Sequence, residues 1–139
     1  MSELLIVEKL TKSRCVENLD DFIAVSCDVS DWGEEQFLSD LPDKWDLSLS
    51  VWDDKPIAYT ILSKKWSDRI HIHQFMVKAE YRSSGIGSLM LDGVLKKYLG
   101  EDISLKVHKD NEGAIKFYER HGFVLGEDGG DYKWMFFRR

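Results

Sequence analysis

The sequence predicts an α/β fold in which a mixed, mainly antiparallel sheet of six to seven strands is flanked by about four helices. Three observations predict it. Apolar and polar residues alternate strictly over 47–51, which indicates a strand with one buried face. An apolar stripe at helical spacing runs from Ile86 to Tyr98. Beyond it, short strand-like and helix-like segments alternate up to residue 137, an order typical of mixed sheets covered by helices.

The first half of the chain is predicted to contain two helices and a meander of strands. A strand over Leu4–Leu10 precedes a helix over Val16–Ser26, and a second helix over Glu34–Leu41 stops before Pro42. The meander is predicted to consist of strands at Leu47–Val51, Ile57–Leu62 and Arg69–Val77, joined by turns at 53–55 and 64–68.

The second half is predicted to alternate between helices and strands. The helix that begins at Ile86 ends before Gly100, which suits a helix C-terminus. A second helix is predicted from Asn111 to Gly122. The strands of this half are predicted at Ile103–Val107, Phe123–Leu125 and Tyr132–Phe137, the last two joined by a turn over 126–131.

Length and composition predict one domain over residues 1–139, acting in the cytoplasm. The net charge is −6 and no basic stripe is visible, so nucleic acid is not the expected partner. No apolar run approaches the ~20 residues of a membrane span, and the start lacks the features of a secretory signal. Cys15 and Cys27 do not form a disulfide framework.

A turn rich in small residues joins a predicted strand to the amphipathic helix, over residues 78–88. The first amides of a helix have no partner within it and lie at the positive end of its dipole. Gly85 and Gly87 lack side chains, which lets a diphosphate approach the backbone closely. Ser84 and Ser88 are predicted to add hydroxyl donors. The segment therefore predicts a phosphate-binding turn.

Two glycines alone also fit a helix that simply begins with small residues. A dinucleotide fingerprint requires a third glycine three residues after Gly87, where this chain has Met90. A nucleoside-triphosphate loop requires Gly-Lys-Ser/Thr, which is absent. Ordinary dinucleotide and triphosphate sites are therefore disfavoured.

Two motifs in this region resemble those of one superfamily. Arg82-x-x-Gly85-x-Gly87 resembles the Arg/Gln-x-x-Gly-x-Gly/Ala signature of the GCN5-related N-acetyltransferases (GNAT). Residues 111–123 match its second signature, Asn-x-x-Ala-x-x-Phe-Tyr-x-x-x-Gly-Phe, at every defined position. The resemblance covers about residues 4–137, and the specific motifs lie within 75–123. It implies an enzyme that moves an acetyl group from acetyl-CoA to a primary amine.

The resemblance also implies which residues bind coenzyme A. Backbone amides of the turn would hold the diphosphate, and the end of the preceding strand would pair with the pantetheine arm as an additional strand would. An asparagine at the start of the second motif would both cap its helix and touch that arm. The residues so implied are Phe75, Met76, Val77, Arg82, Ser83, Ser84, Gly85, Ile86, Gly87, Ser88 and Asn111.

Tyr118 is the predicted catalytic acid. In amide formation the CoA sulfur leaves as a thiolate, and a phenol with a pKa near 10 remains protonated at neutral pH. The motif position of Tyr118 implies that it gives a hydrogen bond or a proton to this sulfur. The amine is expected to attack directly, without an acyl-enzyme, and no metal is expected.

His71 is the predicted base. In histone-acetylating relatives its position, six residues before Val77, resembles that of a glutamate base, and a histidine with a pKa near 6.5 suits that role, directly or through water. Strand periodicity places His71, His73 and Phe75 on one face. A metal site on the two histidines lacks a third ligand at a helpful spacing.

Overall, the chain resembles the ribosomal-protein N-terminal acetyltransferases, through Asp31-Trp32-x-Glu34-x-x-Phe37. Where those enzymes have a glutamate base, this chain has Lys106. The resemblance places the acceptor between the loops at 28–35 and 127–131, whose acidic residues favour a cationic amine: a protein N-terminus, a lysine, a polyamine or another small amine. The acceptor partner is thus a small molecule or a protein, with no membrane involved and the chain a monomer or homodimer. The alternative is a non-catalytic module that binds acyl-CoA.

Overall fold

The structure, a computed structural model, describes residues 5–139 and confirms the predicted fold class. The strands are β1 (Val7–Lys9), β2 (Leu49–Asp53), β3 (Lys55–Trp66), β4 (Arg69–Val77), β5 (Ile103–His108), β6 (Val124–Gly129) and β7 (Tyr132–Phe137). They form one sheet in the order β1-β2-β3-β4-β5-β7-β6. Neighbouring strands run antiparallel except β4 and β5, which are parallel.

The described residues form six α-helices rather than the four expected. They are α1 (Lys12–Glu17), α2 (Leu19–Ser26), α3 (Glu34–Leu38), α4 (Lys44–Leu47), α5 (Ile86–Lys97) and α6 (Glu112–Arg120), with a single 3₁₀ turn at Ala79–Tyr81. Helices α5 and α6 pack on one face of the sheet, and α1 to α3 pack on the other, mainly against β3.

The predicted helix over Val16–Ser26 is two helices that meet at Asn18. The chain turns helical earlier than expected because the Thr11 side chain accepts a hydrogen bond from the amide of Arg14, a standard N-terminal cap. Asn18 departs from helical geometry, with φ −123° and ψ 27°, and so separates α1 from α2. The apolar periodicity continues across this break, so periodicity alone did not reveal it.

Several element boundaries differ from those predicted. Leu47, expected to open a strand, ends the unpredicted helix α4, and the helix predicted to reach Leu41 ends at Leu38. β3 continues to Trp66, so its turn with β4 is shorter than expected. The predicted first strand is observed only over Val7–Lys9, and Leu4 lies outside the described residues.

A bulge in β4 reverses the predicted facing of its last residues. β3 pairs Ile61 with Gln74 but Leu62 with Ile72, so His73 is an extra residue on β4. Phe75 therefore packs with the core cluster that contains Ile72, on the face of α5 and α6. The expectation that Phe75 shares a face with His71 was wrong, because strict alternation does not survive a bulge.

A buried lysine holds the end of α3. Lys44 is 1% exposed, and its Nζ donates hydrogen bonds to the carbonyl oxygens of Phe37 at 2.6 Å and Ser39 at 2.8 Å. The last carbonyls of a helix have no partner within it, and the ammonium supplies one. Burial lowers the pKa of Lys44. This one side chain thus positions the segment between α3 and β2.

Replacing Lys44 with Met is expected to lower the free energy of unfolding by about 2–3 kcal/mol, because buried carbonyls lose their donor while the side-chain volume is kept. Urea unfolding of purified protein measures this change. Lys12→Met, at an exposed position in α1, is the matched control and should leave stability nearly unchanged. Equal free energies of unfolding for the two variants would mean that the buried ammonium of Lys44 does not stabilise the end of α3.

Candidate functional site

The sheet opens into a groove between β4 and β5. On one side β4 pairs with β3 as far as Val77, whereas its parallel pairing with β5 stops at Ile72. Residues 73–77 therefore have no strand partner on the groove side. Two cavities, of about 880 and 640 Å³, follow this opening and share Tyr118 in their walls. The groove places an exposed strand edge beside a tyrosine.

The predicted phosphate-binding turn lies at one end of the groove. Among the described residues, no acceptor receives a hydrogen bond from the amides of Ser83 through Ser88, and the first bond of α5 runs from the Leu89 amide to the Gly85 carbonyl. Positive φ angles at Ser83 (64°) and Gly85 (89°) turn the chain into the helix. Six consecutive free amides at a helix start form a site for an anion.

The side chains of this turn are less available than predicted. Arg82 donates to both carboxylate oxygens of Asp28, at 2.6 and 3.1 Å, and its Nε donates to the Val77 carbonyl. The ion pair lowers the pKa of Asp28. The hydroxyl of Ser84, expected to be a free donor, binds the Tyr81 carbonyl. The backbone therefore carries most of the anion-binding capacity, and Arg82 ties the loop after α2 to the turn.

Tyr118 lies where the two cavities meet. Its ring packs against those of Phe75 and Phe123, with centroids 5.9 and 5.5 Å away. No protein group within residues 5–139 forms a hydrogen bond with its hydroxyl. Burial raises the pKa of Tyr118, so the hydroxyl keeps its proton at neutral pH. Asn111 caps α6 through a 3.1 Å bond from the Ala114 amide and lines the larger cavity.

His71 lines the larger cavity, but its surroundings disfavour the predicted role as a base. Its Nδ1 lies 2.8 Å from the Oγ of buried Ser104, and Arg69 Nε donates to the same oxygen at 2.9 Å. Every group finds a partner only if the Ser104 hydroxyl donates its single hydrogen to Nδ1. This network assigns the remaining hydrogen of His71 to Nε2, which makes the free nitrogen a donor.

The electrostatics agree with that assignment. Burial, followed by the charges of His73 and Arg69, lowers the pKa of His71 to about 3. A neutral imidazole with so low a pKa accepts a proton poorly at pH 7. Burial likewise lowers the pKa of His73 to about 4. The low pKa of His71 disfavours proton uptake by this side chain at neutral pH. Its role as a general base stays a prediction, and its side chain lines the larger cavity.

The low pKa values of His71 and His73 predict that the folded protein loses stability in mild acid. Below pH 6.5 both imidazoles bind protons in the unfolded chain. In the folded chain His73 binds a proton only near pH 4 and His71 only near pH 3. Their contribution is complete above pH 6.5. It should fall by up to about 1.4 kcal/mol per histidine and pH unit below that.

Urea unfolding between pH 7 and 4.5 measures this slope. The double variant His71→Gln/His73→Gln should flatten it, and His108→Gln, at an exposed position, serves as the control for the loss of a histidine. An equally steep slope in the double variant would contradict the assignment of buried, neutral imidazoles.

The predicted acceptor loops contribute little to the walls of the groove. Among the residues that the structure describes, no Asp or Glu side chain lines either cavity, and from the loop at 28–35 only Val29 does. The wall instead includes Lys106, His108 and Tyr132. Sequence analysis placed Lys106 where related enzymes have a glutamate base, but it missed His108. Alternation in β5 carried the signal, because Lys106 and His108 are exposed whereas Leu105 and Val107 are buried.

Other kinds of site find no support among the residues described. No three His, Cys, Asp or Glu residues in 5–139 lie close enough to hold a metal ion. No helix in that part of the chain is long and apolar enough to cross a membrane. Cys15 is buried and Cys27 exposed, and both are free thiols.

Comparison with known proteins points to one family. A sequence model of the acetyltransferase (GNAT) family matches residues 17–123. An uncharacterised N-acetyltransferase of Methanocaldococcus jannaschii is 31% identical over 78 residues, which is 50% of this chain and 34% of that protein. The match thus spans about a third of the length of this curated relative.

Solved structures share the fold across nearly the whole chain. The ribosomal-protein-S18-alanine N-acetyltransferase of Escherichia coli is 19% identical, with a TM-score of 0.74 over 96% of this chain and 91% of that one. Naa50 of Arabidopsis thaliana, solved with the bisubstrate analogue CoA-Ac-MVNAL, is 22% identical, with a TM-score of 0.71 over 95% and 96%. At these identities the likeness establishes the architecture.

Proposed function

The chain belongs to the acetyltransferase (GNAT) family, and from this premise we propose that residues 1–139 form a single N-acetyltransferase domain. It transfers an acetyl group from acetyl-CoA to a primary amine by direct attack. The observation that carries the proposal is the row of six free amides from Ser83 to Ser88, next to the open edge of β4. Such a row suits the diphosphate of coenzyme A.

Two features of the groove support this co-substrate. The free amides and the Ser88 hydroxyl suit the diphosphate, and the unpaired edge of β4 suits the amide groups of the pantetheine arm. The groups proposed to contact coenzyme A are the backbone of Phe75, Met76 and Val77, the turn residues Arg82, Ser83, Ser84, Gly85, Ile86, Gly87 and Ser88, and the side chain of Asn111.

Tyr118 is proposed as the acid. Acetyl-CoA supplies the acetyl group, and a backbone amide near Met76 or Val77 donates to its thioester carbonyl. The nitrogen–carbon bond forms as the carbon–sulfur bond breaks, and Tyr118 gives its proton to the departing sulfur. The proton lost by the nitrogen passes to water in the groove, from which Tyr118 is reprotonated.

The amine is proposed to react without a carboxylate base. His71 remains in the site as a hydrogen-bond donor toward the acceptor, because its free Nε2 carries a hydrogen. The positive charge of Lys106 nearby disfavours an ammonium and so increases the fraction of neutral amine. The free thiols of Cys15 and Cys27 support a cytoplasmic setting.

Protein N-termini are the first acceptors to test, followed by lysine side chains and small amines. The enzyme of Escherichia coli named above acts on the alanine of a ribosomal protein, and the analogue bound to Naa50 carries a peptide. Both share this fold, which supports a peptide acceptor here as a proposal.

One assay with two readouts tests the proposal. Purified protein should bind CoA by calorimetry and release free thiol from acetyl-CoA only when an amine acceptor is added. Binding of CoA without thiol release across peptides, lysine, polyamines and amino acids would instead indicate a non-catalytic acyl-CoA-binding module. Absence of CoA binding would reject both.

A further inference from the structure

At the end of the groove beside β5, Lys106 places a positive charge in a protein whose net charge is −6. The wall of the larger cavity also includes the neutral imidazoles of His71 and His73 and the side chain of His108, and it includes no carboxylate of residues 5–139. Such a wall keeps the reacting amine neutral but offers no opposite charge to an acceptor that carries further ammonium groups. The wall is matched to a negative group.

Lys106 is available for such a group. It is exposed, no carboxylate of the described chain lies within ion-pair distance of its Nζ, and it rests 4.8 Å from the centre of the Trp134 ring. It projects from the sheet face opposite to buried Leu105, on the same face as Ser104 and Trp134. The ring face attracts the ammonium but does not neutralise its charge, so an anion can still pair with Lys106.

Two imidazoles add hydrogen-bond donors beside it. His108 Nδ1 accepts a hydrogen bond from the Asp110 amide, so neutral His108 carries its hydrogen on Nε2. His71 also presents an Nε2 hydrogen, because its Nδ1 is the acceptor of Ser104. An ammonium flanked by neutral N–H donors is an arrangement that binds carboxylates.

We propose that the acceptor is an amine that carries a carboxylate a few bonds away, which Lys106 binds while His71 and His108 donate hydrogen bonds nearby. This proposal rests on the proposed acetyltransferase function. It places polyamines, which carry only ammonium groups, among the poor acceptors. It also gives the lysine found at the glutamate position of related enzymes a role of its own, that of a specificity determinant.

Two sources of such an amine are distinguished by matched acceptors. One arm compares a peptide beginning Met-Glu with those beginning Met-Gln and Met-Lys, and the other compares β-alanine with β-alaninamide. The carboxylate member of an arm should show a kcat/KM about tenfold above its neutral partner, and the advantage should shrink at 1 M salt. The arm that shows this advantage identifies an acidic protein N-terminus or a free amino acid as the acceptor.

Charge reversal provides the decisive variant. Lys106→Glu should lower kcat/KM for the acidic acceptor about 100-fold and raise it for the Met-Lys peptide, with an unchanged Kd for CoA. Lys106→Met should abolish the preference without reversing it. Lys133→Glu, on the neighbouring strand but on the other face of the sheet, is the control and should behave as the unaltered protein. Thermal melts establish that each variant is folded.

The outcomes separate this proposal from the function on which it rests. Turnover of many amines with no charge preference, or a preference for Met-Lys or polyamines in the unaltered protein, would overturn the anionic acceptor and leave the acetyltransferase intact. No thiol release with any acceptor would instead overturn the function itself. An unchanged preference in Lys106→Glu would remove Lys106 from recognition.

Discussion

Replacing Tyr118 with Phe is expected to lower kcat by about 100-fold, the contribution of a positioned proton donor. The hydroxyl has no partner among the described groups, so its removal leaves no buried group unsatisfied, and the ring contacts with Phe75 and Phe123 remain. Single-turnover thiol release from acetyl-CoA measures the effect. Because the variant keeps the phosphate turn, its Kd for CoA should be unchanged.

A second measurement separates chemistry from folding. Phe117→Leu, at the neighbouring ring of the same helix, should lower stability while changing kcat far less than Tyr118→Phe does. Wild-type turnover in Tyr118→Phe would exclude the phenol as the acid. Equal losses in both variants would point to packing rather than to proton donation.

Replacing Ser88 with Glu is expected to raise the Kd for CoA by about 100-fold. Ser88 lies in the first turn of α5, beside the free amides, so a carboxylate there would occupy the positive end of the helix and repel the diphosphate. Two like charges about 4 Å apart at a protein surface cost up to about 4 kcal/mol. Isothermal titration calorimetry with CoA measures the change.

The same substitution should not harm the fold. A glutamate in the first turn interacts favourably with the helix dipole, so the melting temperature of Ser88→Glu should equal or exceed that of the unaltered protein. The side chain introduced by Ser88→Gln has nearly the same shape as that of Ser88→Glu but no charge. The Kd of Ser88→Gln for CoA should therefore lie within a few-fold of that of the unaltered protein. Comparable weakening in both variants would show that size, not charge, governs this position.

Sequence reasoning predicted the elements that local chemistry determines. The predicted bounds of β4, Arg69–Val77, agree with the observed ones, because a turn and polar residues lie on each side of this strand. The start of α5 was also identified, since Gly85 precedes a regular apolar stripe. The open amides of Ser83 to Ser88 follow directly from that strand–turn–helix order, which is why this row of amides was predictable from the sequence.

The remainder depends on contacts between distant segments. The bulge at His73 arises from the register of β3 against β4, and no pattern within β4 alone reports it. The hydrogen on His71 depends on Ser104, 33 residues away, and on Arg69 beside it. The pairing of Arg82 with Asp28 spans 54 residues. Each of these changed the chemistry expected at the site.

The parallel junction between β4 and β5 comprises three residue pairs, from Ile70 with Ile103 to Ile72 with Leu105. These few rungs join the meander of β1 to β4 to the three strands beyond. A co-substrate bound in the groove would contact both the edge of β4 and helix α6, whose residues pack in the same core cluster as β5. It would therefore reduce the motion of the two halves of the sheet relative to each other. The protein would be most rigid with acetyl-CoA bound and more mobile after CoA leaves.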